Sequence, residues 1–285
     1  MQSIANKIFI EDSFPGVTLG AISTPRGLIQ IDAPPSPDDS RTWRASLMNV
    51  GAGPDRVLVN LDSHPDRTLG ARAMDCIIIA HEKTAQAFRN RPTTFKAQGD
   101  ETGANWESIP GLGSVRWAPP EISFTHDMTL HWGEEPILLE HHPGPAAGAI
   151  WVILPSEKIV FVGDLVLKGQ PPFLSNANLP NWIDSLKALM SADFKGYTIV
   201  SGRGGTVTQA VIKTQLDAIK HLHDRIEKLS ARNAAPESTE KLVDILFSGY
   251  KIPVVRQKNY IQRLRYGLRH YYVRHYHPTN GVDDE

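Results

Sequence analysis

One cysteine, Cys76, is all that the 285 residues contain. It sits in the apolar run MDCIIIA and reads as a core residue. An intrachain disulfide is thereby excluded, which fits a reducing compartment. Charge of one sign is also missing. Thirty Lys and Arg face 31 Asp and Glu for a net charge of −1, so nothing global directs the chain to nucleic acid or an anionic membrane. No apolar run reaches bilayer length. The start, MQSIANKIFIEDSFPG, carries acids and lacks the apolar region and small-residue cleavage site of a signal peptide. These absences give the expectation of a soluble, cytoplasmic protein. With 41% hydrophobic and 21% charged residues, the composition suits a globular protein with a substantial core. A chain of this length is compatible with one large α/β unit.

What is present is an order of strands then helices, followed in both halves. KIFIEDS, GVTLGAIST and GLIQIDAP are predicted as consecutive strands between Pro/Gly turns. SPDDSRTWRASLMNVG follows as a helix, with Ser36 as cap, acids in its first turn and Gly51 at its end. RVLVNLD and CIIIAH are strands on either side of a short helix in TLGARAMD, and residues 90–120 are expected as a surface excursion. SFTHDMTLHWG, PILLEHHP, GAIWVILPS and KIVFVGDLV supply four more strands. LPNWIDSLKALMSA is an amphipathic helix, YTIVSGRGG a strand entering a glycine loop, and TQAVIKTQLDAIKHLHDRIEKLSA a long helix. The plan implies two sheets in the middle and helices outside.

The stretch VLVNLDSHPDRTLGAR, residues 57–72, places Asp62, His64 and Asp66 on alternate positions as it leaves a strand. In extended backbone such residues point the same way, so three metal-type ligands are expected to converge. Arg67, directly after them, points to a different arrangement.

The order IDAPP, LDSHPDR, AHEKT, HHPGPAAGAIWVILPSEKIVFVGDL, VSGRGG resembles the metallo-β-lactamase superfamily over roughly residues 8–210. That resemblance implies an α/β fold, a four-layer αββα sandwich with a metal site where loops of both sheets meet. Residues 1–210 would form that domain, and 211–285 a C-terminal helical extension whose long helix completes it. The family's loop is H-x-H-x-D-H, with a later histidine after a Pro-Gly pair, a Gly-Asp pair closing a strand, and a last histidine in a glycine-rich loop. This chain reads Asp62, Ser63, His64, Pro65, Asp66, Arg67 there, with Pro145 and Arg203 at the other two histidine positions and Asp164 in the Gly-Asp pair.

The ligand-type residues that remain are His64, Asp66 and Asp164, with Asp62 as a substitute and His142, or its neighbour His141, as a further candidate. Two divalent ions would put about four positive charges among those carboxylates. Without them the aspartates repel one another in a partly dry pocket. Arginine is a permanent cation that forks onto carboxylates and rarely ligates metal, so Arg67 and Arg203 are expected to stand where metal charge stood. Two outcomes stay open: an ion-pair network without metal, or one zinc, manganese or iron ion on the histidine and carboxylates. Asp32 resembles the family's strand-end aspartate that braces the metal loop. His81 and Thr84 are expected at the pocket rim, with helix capping an alternative for Thr84.

Residues 250–277 hold seven Lys or Arg, no acid and six of the seven tyrosines. On a helix Ile261, Leu264, Leu268 and Tyr271 or Tyr272 make an apolar stripe. The segment is expected to dock on the domain or on a second subunit, a homodimer being the default. Nucleic acid or anionic lipid is a further candidate partner. Two functions follow from the whole. One is a noncatalytic protein of this fold that keeps the pocket for a small anion or keeps the fold as an assembly module. The other is a mononuclear hydrolase of an ester, thioester, lactone or phosphodiester, with Asp66 orienting the attacking water.

Overall fold

A computed structural model describes residues 1–96 and 102–277. Five positions of the expected surface excursion, 97–101, lie outside the described residues, as does 278–285. In chain order the elements are β1 (Gln2–Ala5), β2 (Ile8–Glu11), β3 (Leu19–Ser23), β4 (Gly27–Ile31), α1 (Pro37–Ser46), β5 (Asp55–Val59), α2 (Pro65–Thr68), β6 (Ile77–His81), α3 (Glu82–Arg89), β7 (Ile122–Phe124), β8 (Asp127–Leu130), β9 (Ile137–His141), β10 (Ile150–Leu154), β11 (Ile159–Phe161), α4 (Leu179–Leu189), β12 (Thr198–Val200), β13 (Thr206–Val207), α5 (Gln209–Ser230), α6 (Val243–Phe247) and α7 (Val254–Tyr276).

Two sheets result. One runs β1 to β7 in sequence order, and the other β13-β12-β11-β10-β9-β8. β4 to β7 are mutually parallel, as are β11 and β12. The period-2 alternation of each strand separates the layers. From β5 and β10, Val57, Val59, Ile150, Val152 and Leu154 fill the space between the sheets. Leu58 turns outward to Trp43 of α1, and Trp151 and Ile153 turn outward to α4 and α5. Helix, sheet, sheet, helix is the resulting order, the four-layer sandwich expected from the sequence.

The helix starts follow local chemistry. Ser36 accepts from the Asp38 and Asp39 amides, and Pro37 takes the first turn of α1, where its missing N–H is harmless. SFTHDMTLHWG is two strands rather than one, since β7 ends the first sheet and β8 begins the second. The long C-terminal helices are not a separate body. Ile212, Leu216, Ile219, Leu264, Leu268, Tyr271 and Tyr272 join Trp151 and Trp182 in one buried cluster, with Ile261 packed against it. The stripe of α7 is therefore covered by the chain's own core. Among the described residues no helix is long and apolar enough to cross a membrane.

Candidate functional site

The parallel strands deliver the candidate residues to one end of the sandwich. Asp32 follows β4, residues 60–67 follow β5, Asp164 follows β11, and Arg203 follows β12, at the carboxyl ends where sites of α/β sheets collect. The backbone beyond β5 is not extended, which corrects the alternating reading of Asp62, His64 and Asp66. β5 stops at Val59, and α2 begins at Pro65 with His64 as its cap. The His64 Nδ1 accepts from the Asp66 amide at 3.1 Å. The turn brings the three side chains together by a tighter path.

Arg67 and Arg203 lie in the middle, 0% and 2% exposed. Arg67 Nη1 donates to Asp32 Oδ2 at 2.8 Å, and Nη2 donates to Asp164 Oδ1. Its Nε lies 3.0 Å from Asp62 Oδ1, close enough for an ion pair though not aligned for a hydrogen bond. Arg203 Nε and Nη2 donate to Asp164 Oδ1 and Oδ2 at 3.0 and 3.1 Å. Its Nη1 donates to Asp66 Oδ2 at 2.6 Å, and Nη2 lies 3.2 Å from His64 Nδ1. Arg67 thus reaches three aspartates and Arg203 two. Gly202 permits this closeness: a Cβ there would lie 2.7 Å from the Gly163 backbone.

The remaining carboxylate oxygens are largely taken by backbone. Asp32 Oδ1 accepts from Leu61 N at 2.9 Å, and Asp62 Oδ1 from His64 N at 2.7 Å. Asp66 Oδ1 accepts from Trp106 N at 2.7 Å, and Oδ2 from Asn105 N at 3.3 Å. Asp66, the candidate catalytic residue, is thus an anchor for the loop around 105.

Burial opposes every charge here, and the arginines decide which aspartates overcome it. Against burial, Arg203 above all holds Asp66 below its ordinary range, and Arg203 with Arg67 does the same for Asp164. Burial pushes Asp32 up to about 7 despite Arg67, and it raises Asp62 as well. Two guanidiniums stabilise two carboxylates, and the two in surplus are driven towards protonation. Burial and the neighbouring Arg203 push His64 down to about 3. A neutral ring accepting at Nδ1 carries its proton on Nε2.

Other candidates sit elsewhere. His81 is the cap of α3, accepting from Lys83 N at 3.1 Å, with Nε2 against Thr125 O at 2.9 Å and its ring stacked on His141 at 3.7 Å. Thr84 is not that cap; its hydroxyl donates to Gly148 O at 3.1 Å. His142, suggested as a further ligand, stacks on Trp151 at 3.5 Å, with Nε2 3.2 Å from Glu140. Pro145 is buried in its turn and has no group to ligate or donate.

The structure adds residues that the sequence reading passed over. Phe173 contacts two guanidiniums, with Arg203 4.4 Å and Arg263 of α7 3.8 Å from its ring centre, and the edge of His64 meets it at 4.4 Å. Arg91 stacks on Trp117 and donates to Ser63 O at 3.0 Å. Burial lowers Arg263 to about 9 and Arg91 to about 10. A signal for Arg263 existed, since it falls three residues after Tyr260 and four before Gly267, on the apolar face of the helix.

Comparison with known proteins agrees with the fold. The sequence model of the metallo-beta-lactamase superfamily matches residues 63–202. A metallo-beta-lactamase from Pontibacter korlensis superposes with a TM-score of 0.61 at 19% identity, covering 77% of this chain and 97% of its own. A Pseudomonas aeruginosa metallo-beta-lactamase in its mono-zinc form gives 0.60 at 15%, covering 78% and 94%. The stereoselective inverting sec-alkylsulfatase Pisa1 from Pseudomonas sp. gives 0.70 at 13%, covering 98% of this chain, which spans only 50% of the sulfatase. None of the curated proteins matches. The strand order, the Gly-Asp turn after β11 and the shared architecture converge with the sequence match: residues 63–202 carry the pattern of the metallo-beta-lactamase superfamily, and the chain has the metallo-beta-lactamase fold.

Proposed function

We propose that this is a hydrolase-like member of the superfamily whose dinuclear metal centre is degenerate, its metal charge supplied instead by Arg67 and Arg203, and that it does not carry out metal-dependent hydrolysis. The observation that carries this reading is Asp164, both of whose oxygens accept from guanidinium nitrogens. A metal ion needs those lone pairs free and ligands that tolerate a neighbouring cation. The donor set does not fit one: two of the family's histidine positions carry fixed cations, and the Nδ1 of His64 is engaged as a helix cap. Among the described residues no group of three or more His, Cys, Asp and Glu is arranged to hold a metal ion. Both oxygens of Asp66 already accept from the protein, Oδ1 from Trp106 N and Oδ2 from Asn105 N and Arg203 Nη1.

Elemental analysis of protein prepared without chelator tests this, paired with thermal unfolding in zinc or manganese. The reading expects less than one ion per chain and an unmoved midpoint, because only an ion that binds the folded state raises it. Stoichiometric metal, with a midpoint that climbs as the ion is added and falls with chelator, would overturn it.

A further inference from the structure

We infer that the N-terminal half of α7 is a latch over the charge cluster, held shut by arginine contacts and free to lift while the C-terminal half of the same helix stays in place. The inference is independent of whether the cluster is inert, because it concerns access to His64 and Arg203 rather than what happens there.

The two halves of α7 are held by different forces. From Leu264 onward the helix is anchored by apolar burial, with Leu264, Leu268 and Tyr272 at 0% exposure and Tyr271 at 2%. Before it, Val254 and Val255 are 84% and 85% exposed, and Arg256, Lys258 and Asn259 are exposed as well. Tyr260 is buried there and Ile261 packs against the core; the rest of that half is held by polar contacts to the segments above the cluster. Arg256 Nη1 donates to Asn105 Oδ1. Arg263 donates to Gly103 O from Nε and Nη2 at 3.2 and 3.1 Å, and from Nη1 to Gln170 Oε1 and Pro171 O at 2.8 and 3.1 Å. The backbones touch directly, since a Cβ on Gly103 would lie 2.2 Å from Asn259 O.

The loop so held is the one that Asp66 anchors from below through the Asn105 and Trp106 amides. Arg263 also lies over the ring of Phe173, which Arg203 contacts as well. Loop 102–108 and the first half of α7 therefore close over the arginines as one layer. Segments with few apolar contacts and many polar ones open at lower free energy than the core.

Hydrogen exchange on the full chain tests this, read at 102–108, at 258–263 and at 264–276; the first amides of α7 are left aside because they lack helical acceptors. In the wild type the first two segments should exchange together and faster than the third. R263Q should speed both on the order of tenfold, as losing charge-assisted hydrogen bonds implies, with 264–276 unchanged and R263K restoring part of the protection. Carbethoxylation of His64 should accelerate in parallel. Equal exchange of 258–263 and 264–276 in the wild type, or equal acceleration of all three segments in R263Q, would make α7 a plain structural helix and end the inference. Should R263Q fail to fold, the exposed R256A decides: faster exchange confined to 102–108 and 258–263 supports the latch, and no change overturns it.

Discussion

A guanidinium at position 67 faces three aspartates at once, and its planar fork explains why lysine is no substitute. Replacing either central arginine by alanine strands buried carboxylates. R67A and R203A should each cost about 3–5 kcal/mol in denaturant unfolding, and wild-type midpoints would show the arginines to be bystanders. The pH response is a sharper check. His64 has a folded value of about 3 against an unfolded one near 6.5. The unfolded chain thus takes up a proton that the folded chain refuses, and this contribution, complete above pH ~6.5, is lost as pH falls towards ~3. Asp32 runs the other way. Its folded value is raised from 3.8 to about 7, so its contribution is full below ~4 and disappears as pH rises through ~7. H64Q should therefore leave stability falling with rising pH across about 4 to 7, and D32N should leave it rising. Asparagine suits position 32, where φ is +59°. Urea midpoints of the two variants with the same slope would show that these two groups do not titrate as described.

At the scale of the element, α7 owes its place to the stripe that the sequence displayed. L268A should lose about 2–5 kcal/mol, as buried Leu to Ala changes do, while V255S, at an exposed position, should unfold as the wild type does; equal midpoints for L268A and wild type would show the stripe unpacked. The sandwich was legible because both faces of most inner strands are buried, so continuous apolar runs between Gly/Pro turns mark them. FTHD hid the break between β7 and β8, since neither glycine nor proline marks it. The path after β5 was misread for the opposite reason. Ligand spacing suggested extension, whereas Pro65 followed by Asp66 was a helix start in plain view. Arg67 and Arg203 were visible one by one. Their geometry was not, because pairs such as Arg203 and Asp66 are separated by 137 positions and no local pattern encodes such a contact. Arg263 went unseen because only Ile261, Leu264, Leu268 and Tyr271 or Tyr272 were counted in the stripe of 250–277, although a cation on the apolar face of a helix marks a buried partner.

For the whole molecule, the helices after residue 210 are part of the core that covers the second sheet. Ending the chain after Ser248 should uncover that core and give aggregation or a lower unfolding midpoint; a truncated protein as stable and as soluble as the intact one would show α7 to be dispensable. The cluster has a further consequence, for the order in which the chain can fold. Arg67 draws on Asp32, Asp62 and Asp164, and Arg203 on Asp66 and Asp164, so each half of the sequence holds one central guanidinium and carboxylates that the other requires. A nascent first half would have to hide Arg67 without Asp164, together with an Asp66 that lacks Arg203. Neither half can dry its end of the sheet alone, and the slow, long-range closure between them becomes the step that commits the chain. A protein arranged in this way acquires its native state only after most of it has been synthesised, and it gives up both halves together when it unfolds.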